Sequence, residues 1–195
     1  MPELIVLAGS NGAGKSTFYD SYLARLNLPF VNADIFAKAL NPNDPAAVNY
    51  VAAQQADQQR RAYLMARTSF VMETVFSDPA GDKIAFLREA QAMGFRVTLI
   101  FIGIDSPALS QARVIGRVAH GGHDVPDDRL IERFPRTLAN LKVALKFVDR
   151  ASLFDNSSAR SPYRPIATVE DGQCIVRYPP LPGWANAALK SLTTK

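Results

Sequence analysis

A three-layer αβα sandwich around a mostly parallel sheet is the fold this sequence predicts, and three observations predict it. Short apolar runs bounded by turn residues alternate with stretches of helical periodicity, the pattern of repeated βα units. The runs are apolar throughout rather than alternating, as strands covered on both faces must be. The first of them, 4–8, leads straight into Gly9-Ser10-Asn11-Gly12-Ala13-Gly14-Lys15-Ser16, a complete GxxxxGK[ST] phosphate loop. That loop works only between a strand and a helix, so motif and pattern agree.

The elements follow in order. Strands are expected at 4–8, 29–32, 69–73, 96–104 and 152–154, a five-stranded sheet. Residues 17–23 can open the helix after the loop. Asp44-Pro45 supplies a cap and a first-turn proline for an Ala/Gln-rich helix running to about Arg67. Asp78-Pro79 precedes a helix that stops at Gly94, and Ser106-Pro107 opens one that ends at Gly121-Gly122. From Asp127 to about Asp149, Ile131, Phe134, Leu138, Leu141, Leu145 and Val148 recur at helical spacing. Pro135 lies inside that pattern and is expected to kink or split the helix. Runs 166–169 and 174–178 flank Glu170-Asp171-Gly172-Gln173, a hairpin signal. The expected organisation is a P-loop domain over 1–160, with a helical lid at about 106–137. A β-hairpin appendage and tail over 161–195 should pack on the same domain.

With 195 residues, 48% of them hydrophobic, the chain suits one domain with an ample core. Cys174 stands alone, which excludes an internal disulfide, and two histidines beside it leave no zinc set. A net charge of +4 suits anionic ligands without choosing among them. The opening apolar run is too short for a signal peptide and nothing reaches membrane-spanning length. A cytoplasmic protein with no membrane partner is expected.

The loop residues Gly9, Asn11, Gly12, Ala13, Gly14, Lys15, Ser16 and Thr17 are the nucleotide-binding candidates. Backbone N–H groups cradle the phosphates, Lys15 reaches the β- and γ-phosphates, and Ser16 is placed to ligate Mg²⁺. ATP and Mg²⁺ are the expected donor and metal. Ligands of an open α/β sheet sit outside the carboxyl ends of its strands. Asp34 follows the second strand and Glu73 ends the third, so both face the crevice beside the loop. Asp34 can take a proton from an acceptor hydroxyl or join the Mg²⁺ shell; equally, it can cap the helix 35–40. Glu73 ends a buried strand and needs a partner, either a substrate or an arginine such as Arg60 or Arg61. Arg113 and Arg117 share one helical face, and Arg129, Arg133 and Arg136 another. Between these helices lies Gly121-Gly122-His123-Asp124-Val125-Pro126, a hinge pattern, so the arginines suit a lid that neutralises a transferring phosphoryl group.

Taken together, Gly9–Ser16, Asn32-Ala33-Asp34, Glu73-Thr74, the block from Arg113 and Arg117 to Gly121-Gly122-His123-x-Val125-Pro126, and Asp155-Asn156-Ser157 resemble the zeta-toxin-like P-loop kinases. The resemblance spans residues 4 to 157. It implies a kinase of a small hydroxylated acceptor, most plausibly a UDP-amino sugar such as UDP-N-acetylglucosamine. By the same resemblance Asp34 is the general base, Asn32, Glu73, Thr74 and Arg136 contact the acceptor, and Asn156 borders the nucleotide. Lys15, Arg117, Arg113 and Arg133 then stabilise the transferring group. A separate antitoxin protein is implied as a partner. The chain departs from the toxin pattern in reading Glu73-Thr74-Val75 where those members have Glu-Gly-Thr. Two other readings stay open: a polynucleotide 5′-hydroxyl kinase, against which stands the lack of aromatic–basic interleaving, and a P-loop ATPase or regulatory nucleotide-binding module. Nucleic acid is not an expected partner.

Overall fold

The structure, a computed structural model, describes residues 1–118, 127–190 and 192–194. Strands β1 (Glu3–Ala8), β2 (Phe30–Val31), β3 (Phe70–Thr74), β4 (Arg96–Gly103) and β5 (Arg150–Asp155) run parallel in the order β2-β3-β1-β4-β5. This is the expected five-stranded parallel sheet. Central β1 is buried because side chains alternate between two cores. Leu4, Val6 and Ala8 meet Phe70, Met72, Leu99 and Phe101 on one face. Ile5 and Leu7 meet Val71, Ile102 and Phe18 on the other.

The hairpin forms where Asp171 (φ 47°) and Gly172 (φ 76°) both turn left-handed, as a two-residue hairpin loop requires. Its strands β6 (Arg164–Glu170) and β7 (Gln173–Arg177) continue the same sheet, β6 pairing antiparallel with β5. A short β8 (Thr193–Thr194) lies parallel to β7 and makes the sheet eight-stranded.

Several helices start or stop away from their sequence expectation, each for a local reason. After the loop, α1 (Lys15–Phe18) is a single turn that loosens into a π-helical turn, Tyr19–Leu23, and tightens into a 3-10 turn, Ala24–Leu26. Asn32 Oδ1 accepts from the Asp34 backbone N–H at 2.8 Å, so Asn32 caps α2 (Ala33–Leu40). The cap reading of Asp34 is thereby corrected, since Asp34 already lies in the first turn. The Asp44-Pro45 signal opens a 3-10 turn, Pro45–Val48, before α3 (Asn49–Met65). Helix α4 (Asp82–Ala92) begins after Gly81, whose φ of 80° is not helical, and so starts later than Asp78-Pro79 implies. Ser106 Oγ accepts from Leu109 N at 3.2 Å and caps α5 (Pro107–Val118). Helix α6 (Asp127–Ala144) runs on through Pro135 as one element, so the expected split does not occur.

A further helix, α7 (Gly183–Leu189), has no signal in the sequence beyond a Pro-rich lead-in. It buries Trp184, Ala185, Ala188 and Leu189. The Trp184 ring packs on Phe101 with centroids 5.5 Å apart, and its Nε1–H donates to Asp155 Oδ1 at 3.3 Å. Among the described residues, no helix is long and apolar enough to cross a membrane.

Candidate functional site

The phosphate loop links β1 to α1 and holds a conformation few residues could adopt. Gly9 has φ 149° and Gly14 φ 91°. A Cβ at Gly9 would run into the Ile102 carbonyl of neighbouring β4, and one at Gly14 would come within 2.6 Å of Asn156 Nδ2. Four side chains fasten successive carbonyls of the loop. Ser110 Oγ donates to Asn11 O at 2.7 Å and Arg113 Nη1 to Gly12 O at 3.3 Å. Asn156 Nδ2 donates to Ala13 O at 2.8 Å and Tyr163 Oη to Gly14 O at 2.9 Å. Tying up carbonyls in this way lets such a loop present its amides to an anion.

Lys15 is 7% exposed. Its Nζ donates to Ser10 O at 3.1 Å and lies 3.7 Å from Glu73 Oε1. The other Glu73 oxygen accepts from Asn32 Nδ2 at 3.0 Å and Ser16 Oγ at 3.4 Å. Burial pushes the Glu73 carboxyl above the ordinary carboxylate range; the Lys15 charge pulls it back and the Asp34 charge pushes it up again. Glu73 thus answers its burial with the loop lysine. The alternative partners are engaged elsewhere: Arg60 with Asp57 at 3.2 Å, and Arg61 with Asp57 and Glu89 at 3.1 and 3.2 Å.

These residues meet in a cavity of about 400 Å³. Its walls include Asn11, Gly12, Gly14, Lys15, Ser16 and Thr17 of the loop region, Asp34 and Glu73 at the strand ends, and Arg113, Arg129 and Arg133 from α5 and α6. Burial first, then the charges of Arg129 and Arg136, lower the Arg133 pKa. Arg113, Arg129 and Arg133 share this cavity with the carboxylates Asp34 and Glu73. A second cavity, about 710 Å³, opens between α3 and α4 and shares Asp34, Glu73 and Val75 with the first. Asn32 and Thr74 line it, the Thr74 Oγ1 accepting from Phe76 N at 3.0 Å.

Two expected site residues stand apart. Arg136 turns away from the cavity, its guanidinium donating to Glu132 O and Glu132 Oε2, both at 3.1 Å. The reason is its place more than a turn beyond Arg129 with an acid four residues behind it. Asn156 is buried under the loop, holding Ala13 O and accepting from Tyr163 N at 3.4 Å, and lines neither cavity. The Arg117 side chain, with residues 119–126 and hence His123, lies outside the described residues. Sequence reasoning missed Ser110 and Tyr163, which reach the loop across 99 and 149 residues and carry no local signal. Arg129 was visible as the first of the i, i+4 arginines.

The AAA domain family matches this chain over residues 4–140. A curated relative, an uncharacterised protein of Haemophilus influenzae, is 28% identical over 132 residues, covering 68% of this chain and 92% of its own. Among solved structures, the complex of AvrRxo1-ORF1 and -ORF2 with ATP superposes with a TM-score of 0.72 at 18% identity, over 99% of this chain and 64% of that one. The same pair with sulphate ions gives 0.67 at 19% identity, over 90% and 61%. The PezAT chromosomal toxin–antitoxin system of Streptococcus pneumoniae gives 0.66 at 14% identity, over 86% and 72%. The chain therefore spans less than two thirds of the length of the AvrRxo1 structures it matches. At these identities the likeness is one of fold, and it agrees with the P-loop fold read from the motifs.

Proposed function

The chain belongs to the AAA domain family, which its match over residues 4–140 establishes, and from that premise we propose that it is an ATP-dependent kinase. One observation carries the reading. The phosphate loop, the Asp34 and Glu73 carboxylates and three arginines share a single cavity, and the same two carboxylates also line a larger one. The first suits the donor, the second the acceptor.

In this reading Lys15 and the loop amides hold the β- and γ-phosphates. Asp34 takes the proton of an acceptor hydroxyl, whose oxygen bonds to the γ-phosphorus as the bond to the β–γ bridging oxygen breaks, leaving ADP. Arg113, Arg129 and Arg133 offset the charge spread over the transferring oxygens. Ser16 Oγ and Glu73 Oε2 lie 3.4 Å apart with Asp34 beside them, an oxygen donor set that suits a hard cation such as Mg²⁺. Bound there by Ser16 and Glu73, the metal would neutralise phosphate charge.

The acceptor we propose is a UDP-amino sugar such as UDP-N-acetylglucosamine, the class implied by the sequence resemblance, with Asn32, Glu73 and Thr74 orienting it. The toxin–antitoxin setting of the PezAT structure supports a separate antitoxin protein as a partner. The cytoplasm, which supplies ATP and Mg²⁺, is the proposed location. The test is transfer from γ-labelled ATP to a panel of nucleotide sugars and oligonucleotides. Label on a nucleotide sugar, abolished in Asp34→Asn with ATP binding intact, is the expected result. Label on oligonucleotides alone would replace the acceptor, and turnover with no labelled acceptor would reduce the protein to an ATPase.

A further inference from the structure

Parallel sheets are ordinarily covered on both faces. Here one face is left partly bare. Helix α1 gives way after one turn to the π and 3-10 turns, and α7 packs with Phe101 in the core under the other face. Over β4 and β5 this leaves a cavity of about 500 Å³, a size that suits a small ligand. It reaches the amino ends of those strands, which Arg96 and Arg150 open, whereas the phosphate loop follows the carboxyl end of β1. None of its lining residues belongs to the donor cavity or to the larger one beside it.

The lining is graded. Every second residue of a strand faces the same side, so β4 contributes Arg96, Thr98 and Ile100, and β5 contributes Arg150, Ser152 and Phe154. Each strand passes from an arginine through a hydroxyl to an apolar side chain. The apolar end is ringed: Phe18 lies 5.3 Å from Phe154, 5.2 Å from Tyr163 and 4.7 Å from Tyr22, centroid to centroid. Three guanidiniums, Arg25, Arg96 and Arg150, line the cavity against one carboxylate, Glu3, which accepts from Thr98 Oγ1 at 2.7 Å. Arg150 lies 3.8 Å from Glu170, outside the lining; Arg25 and Arg96 are exposed and make no ion pair among the described residues. Being solvated, these arginines need no partner. What they set is the sign of charge that the cavity favours.

We propose that this cavity is a second ligand site, taking a small ring-bearing molecule with an anionic head. The ring lies against the aromatic wall, where offset and edge-on contacts are available, and the head lies among the arginines. An occupant would also rest on the supports of the phosphate loop, since Phe18 ends α1 and Tyr163 Oη holds the Gly14 carbonyl. That contact makes the ligand an effector of nucleotide binding. The site is independent of the acceptor and of the kinase reading.

The test uses phenylbutyrate and its neutral counterpart phenylbutanol as probes, titrated calorimetrically into protein saturated with a non-hydrolysable ATP analogue. Saturable binding of phenylbutyrate at one site is expected, about three- to tenfold tighter than that of the alcohol. In the double variant Arg25→Gln/Arg96→Gln the acid should fall to the level of the alcohol. Ser152→Trp, which fills the cavity, should bind neither. Unchanged melting and analogue affinity show that a variant is folded; should Ser152→Trp fail this, the exposed arginine pair carries the test. No saturable binding, equal binding of acid and alcohol to the wild type, or binding that the analogue abolishes would overturn the site. Analogue affinity measured with and without saturating phenylbutyrate should differ about twofold or more; equal affinities would overturn the effector role.

Discussion

Asn156 separates two roles that the sequence alone could not tell apart, and replacing it with alanine measures which it plays. A residue that borders the nucleotide would leave the ligand-free protein as stable as before. A residue that holds the loop would not. The structure gives Asn156 the second position. Its amide donates at 2.8 Å to the carbonyl of Ala13, a residue with no exposure at all. Alanine leaves that carbonyl buried and unpaired, which costs about 1–3 kcal/mol. The weaker contact from Tyr163 N, at 3.4 Å, adds little. A loss near 2 kcal/mol lowers the melting temperature of a chain of this size by about 4–8 °C. Urea unfolding without nucleotide reads the effect directly, as a lower midpoint with the slope unchanged. Asn156→Asp supplies a control, since its carboxylate can still accept from Tyr163 N but cannot donate to Ala13. It should be no more stable than the alanine variant. Stability within about 0.5 kcal/mol of wild type for Asn156→Ala, together with weaker ATP binding, would refute the loop-holding role.

Further expectations follow from the same geometry. Gly14→Ala places a side chain at φ 91° and within 2.6 Å of the Asn156 amide; it should lower stability by about 2 kcal/mol or more and weaken nucleotide binding, both readable by urea unfolding and ligand titration. Trp184→Ala empties the space against Phe101 and leaves Asp155 short of a donor, which should cost about 3–5 kcal/mol in chemical denaturation. Glu73 has a folded pKa raised above its unfolded value, so its contribution to stability is complete below the ordinary carboxylate pKa and is lost as pH rises through the raised one. Glu73→Gln removes that titration. The stability difference, variant minus wild type, should therefore climb with pH from about 4 upward and then level off; a flat or falling difference would contradict the assignment.

Which parts were legible in the sequence depends on how far the determining contacts reach. The loop, the five parallel strands and the hairpin at Asp171-Gly172 announce themselves within a few residues, because chain direction and backbone handedness are local matters. Asp34 and Glu73 followed from strand ends alone. Asp34 reads as a cap from its residue type and place alone, and only geometry shows Asn32, two residues earlier, accepting from its N–H and taking that part. The α4 start depended on Gly81, whose left-handed turn overrides the nearby Asp-Pro signal. Arg129, Arg133 and Arg136 share a helical face by spacing, yet the cavity reaches only the first two. Ser110, Tyr163 and Trp184 could not be found by pattern, since each matters through contacts to residues distant in sequence, among them one to a backbone or carboxylate oxygen.

The indole of Trp184 holds Asp155, the next residue holds Ala13, and Tyr163 holds Gly14. Tail and loop are therefore one mechanical train, and linkage makes its influence mutual. Through that train, a ligand that steadies the loop is expected to tighten the docking of α7, and a change that loosens α7 to weaken the loop's hold on its ligand. Amide exchange in Gly183–Leu189 should slow when ATP binds, although no atom of the nucleotide need approach that helix. A chain cut at residue 160 would lose the tyrosine and the tryptophan together, and with them the stiffness of a loop that lies at its opposite end.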